Sequence, residues 1–495
     1  MEAVAQAFDL VFNLQTMLVI VGAALFGLFV GAVPGLTATM ATALLVPVTF
    51  FMPPIPAIAA IVTATATAIF AGDIPGCLLR MPGTPASAAY ADEAYAMTRK
   101  GQAELALGCG LVFSVIGGLF GTLVLILAAP TLAEFALKFS SFEYFWLVLL
   151  GLTCAIVITA ERPLKGIVSL LLGLMVSAIG LGNPAGFPRF TFGVVDLAGG
   201  IGLIPMMIGM FAVAEIIRYA VDTSPAPQVD TQPIRNVFRG MGLLLRRYWL
   251  QTLRGSTLGT LVGALPGAGA DIAAWMSYAI SKKSSKEPQK FGTGHVEGII
   301  ESGAANNSAI AGAWIPALVF GIPGDSITAI VVGVLYMKNM NPGPVLFTQN
   351  PQNIYAVYLL FILANLIMIP LGWWCIKVAK NLLRVPRNVL MPIILLFCIV
   401  GAFAINNTVF DVGVMLLAGV VAYVLQENGF PVAPAILGVV LGTMLEENFV
   451  TSMIKADGDL LAFFGRPVAA TLGALAIAAW FLPPVIRRLR REAGA

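Results

Sequence analysis

The longest uncharged stretches decide what this chain can fold into. Glu2 and Asp9 are the only charged residues among the first 72, and none occurs from Asn339 to Ile376. A helix needs only about 20 apolar residues to cross the bilayer core. A soluble fold also has to find polar side chains to face water, and 59% of this chain is hydrophobic while 11% is charged, against about 25% charged in an ordinary soluble domain. The sequence therefore predicts an all-α polytopic membrane protein with about 10–14 membrane-embedded helical segments.

The same numbers exclude other classes. A net charge of +3, carried in short loops, gives no support to a nucleic-acid partner. The single histidine, His295, and the five scattered cysteines (Cys77, Cys109, Cys154, Cys375 and Cys398) form no metal or disulfide framework, so no metal site is expected from them. The chain has no Walker A motif, so no ATPase and no cofactor is implied. No basic region precedes the first apolar run, and the N-terminus reads as the start of the mature protein.

Apolar runs fall at about Val11–Val33, Leu105–Ala129, Tyr144–Ala160, Leu164–Leu181, Ile201–Ala220, Ile354–Ile376, Val389–Ala404, Val409–Leu425 and Pro467–Ile486. Shorter pieces broken by Pro and Gly lie around 36–85, 255–281 and 303–346. Basic residues gather at Arg99–Lys100, Arg162–Lys165, Arg235–Arg254, Lys282–Lys290, Lys377–Arg387 and Arg487–Arg491. The positive-inside rule makes these loops, and the C-terminus, cytoplasmic, with the N-terminus on the periplasmic side.

A Pro-rich segment at 223–234 reads as a linker between a first membrane repeat, 1–222, and a second, 235–495. Val30-Gly31-Ala32-Val33-Pro34-Gly35 recurs as Val262-Gly263-Ala264-Leu265-Pro266-Gly267, and Ile74-Pro75-Gly76 recurs as Ile322-Pro323-Gly324. The two copies carry opposite charge patterns at their ends and middle loops, which predicts inverted topology. Inverted repeats with short, Pro/Gly-interrupted segments mark secondary transporters, because free backbone groups at membrane depth need protein, water or a solute. The stretch from Arg254 to Lys282 reads either as a re-entrant hairpin with Pro-Gly at its tip or as a kinked full span.

Polar residues collect at these breaks. Pro34, Gly35 and Thr37 flank the first tip, and Pro266 and Gly267 form the second. Asp73, Pro75, Gly76 and Arg80 surround the first Ile-Pro-Gly, followed by Pro82, Gly83 and Thr84. Pro323, Gly324 and Asp325 form the second. Asn306 and Asn307 lie in an uncharged stretch where carboxamides are costly without partners. Asp271 completes the set, since ionisable groups at membrane depth are candidate functional residues. Arg80 is expected to meet either Asp73 or a substrate carboxylate. Glu446, Glu447, Asn448 and Asp411 read as loop ends, and His295 as solvated.

The motifs Gly31-Ala32-Val33-Pro34-Gly35-Leu36-Thr37, Met81-Pro82-Gly83-Thr84-Pro85-Ala86-Ser87, Glu301-Ser302-Gly303-Ala304-Ala305-Asn306-Asn307 and Gly321-Ile322-Pro323-Gly324-Asp325, in this order, are similar to those of the TctA family. These are the large membrane subunits of tripartite tricarboxylate transporters. The resemblance implies a permease in the bacterial inner membrane that imports a di- or tricarboxylate-like solute. It also implies a periplasmic solute-binding protein and a small four-helix membrane subunit as partners. The energy source would be a Na⁺ or H⁺ gradient, with Na⁺ ligands unassigned. Arg80 and Asp73 depart from the family's usual residues at those positions.

A channel or lipid flippase is the alternative. An intramembrane enzyme is disfavoured, since Phe70-Ala71-Gly72-Asp73 lacks the first glycine of an aspartyl-protease motif and no His pair exists for zinc.

Overall fold

The computed structural model describes residues 2–34, 36–158, 163–182, 186–221, 236–383 and 387–492. The linker expected at 223–234 lies outside the described residues, as does Gly35. The described elements are helical throughout, with one isolated bridge between Gly180 and Arg189.

The chain opens with α1 (Glu2–Val11), α2 (Leu14–Ala32), α3 (Ala38–Phe50), α4 (Pro54–Ala71), α5 (Asp73–Leu79), α6 (Ala91–Arg99) and α7 (Ala103–Ala136). Next come α8 (Ser141–Ile158), α9 (Pro163–Ser177), α10 (Leu203–Ile208) and α11 (Ala214–Val221), the last two joined by a π-helical turn. The remainder is α12 (Met241–Arg247), α13 (Trp249–Gly263), α14 (Gly269–Ser284), α15 (Val296–Phe320), α16 (Ser326–Met337), α17 (Pro344–Gln349) and α18 (Pro351–Leu382). It closes with α19 (Arg387–Asn406), α20 (Val409–Glu427), α21 (Val432–Lys455) and α22 (Pro467–Glu492).

Eight of the described helices are long and apolar enough to cross a membrane, and five apolar helices are shorter. Two of the eight correct the sequence reading. Pro54–Leu79 is one span of 26 residues rather than broken pieces, because Gly72 stays helical and Pro75 sits in the first turn of α5, where its missing N–H costs nothing. α21 continues through Glu446, Glu447 and Asn448, so these are mid-helix residues. Glu446 is held there by an ion pair of 2.7 Å with Arg189. α15 is likewise a single helix of 25 residues, not a string of short pieces.

Burial sorts the helices into layers. The most apolar stretch of Pro54–Leu79 is 100% buried, whereas those of α19 and α20 are 28% and 22% buried. α4 and α15 therefore form the centre, and Leu396, Phe397 and Val400 of α19 point outward as lipid-facing side chains do. α15 packs on α7 and α13, and α4 packs on α2 and α18. Small residues make this possible, as membrane helices associate through close backbone approach.

The same contacts occur in both halves. A Cβ on Gly27 or Gly31 of α2 would stand 2.3 Å from the carbonyl oxygen of Ala64 or Ala68 on α4. On α13, a Cβ at Gly259 or Gly263 would stand 2.2 or 2.3 Å from the carbonyl oxygen of Ala305 or Ala309 on α15. α5 ends at Arg80 and α15 at Gly321, both left-handed (φ 58° and 71°). The bonds closing these ends also match: Arg80 N–H to Gly76 O and Met81 N–H to Pro75 O, against Gly321 N–H to Ala317 O and Ile322 N–H to Pro316 O. Met81-Pro82-Gly83 and Ile322-Pro323-Gly324 each follow a helix end closed in this way. Pro75 and Gly76 of the first Ile-Pro-Gly lie inside α5, unlike Pro323 and Gly324.

Glu93 ties the halves together. Fully buried on α6, it accepts N–H groups from Gly292, Gly294 and His295, the last two at 2.7 Å. His295 is consequently not solvated: it is 8% exposed, stacks on Phe291 and caps α15 by accepting the Glu297 N–H.

Candidate functional site

Four chain turns meet around a polar cavity of about 240 Å³. Its wall carries Thr37 and Thr39 at the start of α3, Gly267 through Asp271 at the start of α14, and Asp325 through Ile327 at the start of α16. The stretch Thr84–Ala86 and Asn306 of α15 complete that side. Helix N-termini carry unpaired N–H groups and about half a positive charge each, so three of them facing one space favour an anion.

Local chemistry fixes each start. Thr37 caps α3 by accepting the Met40 N–H at 3.1 Å. Asp325 and Thr328 form a reciprocal capping box, with Asp325 Oδ1 accepting the Thr328 N–H at 2.7 Å and Thr328 Oγ1 accepting the Asp325 N–H at 2.8 Å. Thr84 and Ser87 make the same reciprocal pair at 3.1 Å each way. Gly267 and Gly269 adopt positive φ (83° and 60°), which lets the chain turn from α13 into α14. Asp271 is exposed and lines the cavity, and it accepts an N–H from Ala86.

A further part of the lining went unread in the sequence. Arg218 and Glu215 of α11, Phe211 of the π turn and Gln426 of α20 form it. Arg218 donates to Glu215 at 2.7 Å and to Gln426, and lies 3.6 Å from Glu427. An Arg three residues after a Glu inside the span Leu203–Val221 was the available signal, since such a pair in an apolar run needs a reason.

Of the residues singled out by sequence, Thr37, Thr84, Gly267, Asp271, Asn306 and Asp325 share this cavity. The other described ones lie elsewhere. Pro266 packs at Gly151 of α8, and a Cβ on Gly324 would stand 2.7 Å from Gly263 O. Gly83 meets Gly31 O and Gly72 in the same way. Pro34 and Pro323 are buried, Pro82 is exposed, and Pro75 and Gly76 are helical. Asn307 turns toward Met368 Sδ at 3.9 Å on α18.

Arg80 stands apart from these residues. It meets neither Asp73 nor the cavity: its Nε pairs with Asp92 at 2.7 Å, with both side chains largely exposed. That pair holds the guanidinium more firmly charged than usual. The left-handed end of α5 turns it outward, and Asp73 instead accepts the Tyr90 hydroxyl at 2.6 Å.

A larger cavity of about 450 Å³ between α9, α10, α20 and α21 is lined by apolar side chains such as Leu172, Met175 and Val421. It has the character of a lipid-facing crevice and holds no group for a polar solute.

Residues 17–437 match the tripartite tricarboxylate transporter TctA family. An Agrobacterium vitis sequence described as an uncharacterized 52.8 kDa protein in the TAR-I ttuC' 3' region is 35% identical over 454 residues, covering 92% of this chain and 90% of the relative. A second A. vitis sequence, from the TAR-II ttuC' 3' region, is 36% identical over 236 residues, 47% of this chain and 98% of the relative. No solved structure matches. TctA proteins are transporter components and not enzymes, and they work in systems of three parts. The chain is a multi-pass membrane protein of the TctA family, the large membrane subunit of a tripartite tricarboxylate transporter.

Proposed function

We propose that this chain is the permease that imports a di- or tricarboxylate-like solute across the bacterial inner membrane, using an ion gradient. A periplasmic solute-binding protein delivers the solute, and a small four-helix subunit completes the membrane complex. The observation that carries this reading is the convergence of the starts of α3, α14 and α16 on one polar cavity. Their N–H groups suit a carboxylate, as at other helix N-termini.

The matched contacts of α2–α5 and α13–α15 support two repeats, and the opposite charge patterns of the copies support inverted orientation, with the C-terminus cytoplasmic and the N-terminus periplasmic. α13 and α14, at 15 and 16 residues, are shorter than the roughly 20 needed to cross, which favours the re-entrant hairpin. Asp271 and Asp325 on the wall repel a bare polyanion, so a solute accompanied by positive charge is preferred. That preference is what symport requires.

The test is uptake of labelled citrate, malate and succinate by proteoliposomes holding the chain, its small subunit and the cognate binding protein. Ala270→Phe and Ala86→Phe, which fill the cavity, should abolish uptake while the complex still purifies intact. Full uptake by both variants would remove the site from this cavity.

A further inference from the structure

Three acids lie at or near the cavity, and their surroundings differ. Asp325 is committed to its capping box, and Asp271 meets the cavity and an N–H of Ala86. Asp73 is 6% exposed, and its Oδ2 has no hydrogen-bond partner. Its Oδ1 accepts the hydroxyl of Tyr90, itself 2% exposed. Tyr90 Oη in turn receives Nδ2 of Asn306 at 3.4 Å. Asn306 is 1% exposed, lines the cavity and leaves its own Oδ1 without a partner.

The groups facing Asp73 from the surrounding elements are Tyr90 before α6, Cys77 of its own helix and, through Cys77, Cys109 of α7. Phe70 of α4 and Gly110 of α7 close the remaining side. Among the described residues no Lys, Arg or His forms an ion pair with Asp73. A carboxylate and one phenol are few oxygens for a hard cation, which takes about six or more. A proton needs only the orphaned oxygen.

We infer that Asp73, Tyr90 and Asn306 form a hydrogen-bond chain whose direction reverses when Asp73 takes up a proton, and that this reversal sets the cavity's affinity for a carboxylate. The inference rests on the transport reading above. Ionised Asp73 can only accept, so Tyr90 points its hydrogen at Oδ1 and Asn306 donates to Tyr90. Asn306 then has an acceptor oxygen to offer elsewhere, which disfavours an anion. On protonation, a hydronium ion gives up a proton, an O–H bond forms at Oδ2, and the carboxyl group rotates to turn that O–H toward Tyr90. The neutral acid donates to Tyr90 Oη, and the Tyr90 hydrogen turns to Asn306 Oδ1. The carboxamide rotates and presents Nδ2, with its two hydrogens, to the solute. Release runs backward: the O–H bond breaks, its electron pair stays on Asp73, and the proton returns to water. Tyr90 keeps its proton throughout. Linkage makes the effect reciprocal, since bound solute favours the protonated acid.

The reconstituted complex is assayed with labelled citrate, malate and succinate across an acid-to-neutral pH series. In the wild type the half-saturation concentration should rise as pH rises. Asp73→Asn supplies a permanent donor, so it should bind at the low-pH affinity throughout and lose gradient-driven accumulation while keeping counterflow exchange. Tyr90→Phe leaves the acid but cuts the chain, and its half-saturation concentration should not vary with pH. A flat wild-type profile, or a wild-type slope in either variant, overturns the inference while leaving the transport reading intact. If Asp73→Asn fails to assemble, the wild-type slope and Tyr90→Phe, which lacks one hydroxyl, decide. A wild-type complex that takes up none of the three solutes under any gradient removes the transport reading and this one with it.

Discussion

Arg254 on α13 grips Glu301 on α15 with two parallel bonds, Nε to Oε1 at 2.6 Å and Nη2 to Oε2 at 2.7 Å. Glu301 is fully buried, whereas about a third of the Arg254 side chain reaches the surface. Removing the cation alone leaves a buried carboxylate without its partner, which costs about 3 kcal/mol. Arg254→Met should therefore lower the thermal midpoint of the purified protein markedly. The double change Arg254→Met with Glu301→Met should recover most of the loss, because no buried charge remains. A single variant that melts with the wild type would show that the fork contributes nothing to stability.

The matched glycines make a paired expectation. At Gly31 and Gly263 a new Cβ would meet a backbone carbonyl at 2.3 Å, and a carbonyl on a packed helix cannot give way as a side-chain tip can. Gly31→Leu and Gly263→Leu should each destabilise by at least about 2 kcal/mol. Gly22 has nothing within 4 Å, so Gly22→Ala should be neutral or gain up to about 1 kcal/mol from helix propensity. Thermal unfolding in one detergent compares all three. Divergent behaviour of the first two would argue against equivalent packing in the halves.

The contrast between legible and hidden parts follows the physics. Six of the nine long apolar runs coincide with helices long enough to cross, because an uncharged apolar run of about 20 residues has few alternatives in a bilayer. Those at Tyr144–Ala160, Leu164–Leu181 and Pro467–Ile486 give shorter helices among the described residues. Pro75-Gly76 misled because proline in a first helical turn is harmless, and only the neighbouring structure shows that Pro75 occupies one. Arg80 read as a partner of Asp73 or of a substrate carboxylate because it lies between a break and a Pro-Gly turn in apolar sequence. Its exposure depends on the left-handed backbone that turns it outward. Tyr90 and Arg218 carried no motif. They matter through partners at 2.6 and 2.7 Å, 17 and 3 residues away, and through a wall shared by helices far apart in sequence.

The two arginines now exchange expectations. Arg80 sits outside with Asp92, and exposed pairs of this kind contribute little. Arg80→Gln should leave uptake of labelled carboxylates within about twofold of wild type. Arg218 lies on the cavity wall among Glu215, Gln426 and Glu427, and Arg218→Gln should reduce uptake at least about tenfold. The reverse ranking would return the anion site to Arg80.

Asp325 and Thr84 are each locked with a hydroxyl residue three positions on. Asp325 adds a charge to its cap where Thr84 offers only a hydroxyl, so cap and charge can be separated. Asp325→Ala removes both: α16 should lose about 1 kcal/mol with its cap, and uptake should fall. Asp325→Thr restores an oxygen to receive the Thr328 N–H, so stability should stay within about 0.5 kcal/mol of wild type. If the cavity needs only a well-formed helix start, Asp325→Thr should also transport normally. The charge faces the solute space together with Asp271, where it favours a solute that arrives with positive charge. Asp325→Thr should therefore be stable yet take up the more highly charged citrate better relative to succinate than the wild type does. An unchanged citrate-to-succinate ratio in a variant of wild-type stability would assign Asp325 to the cap alone.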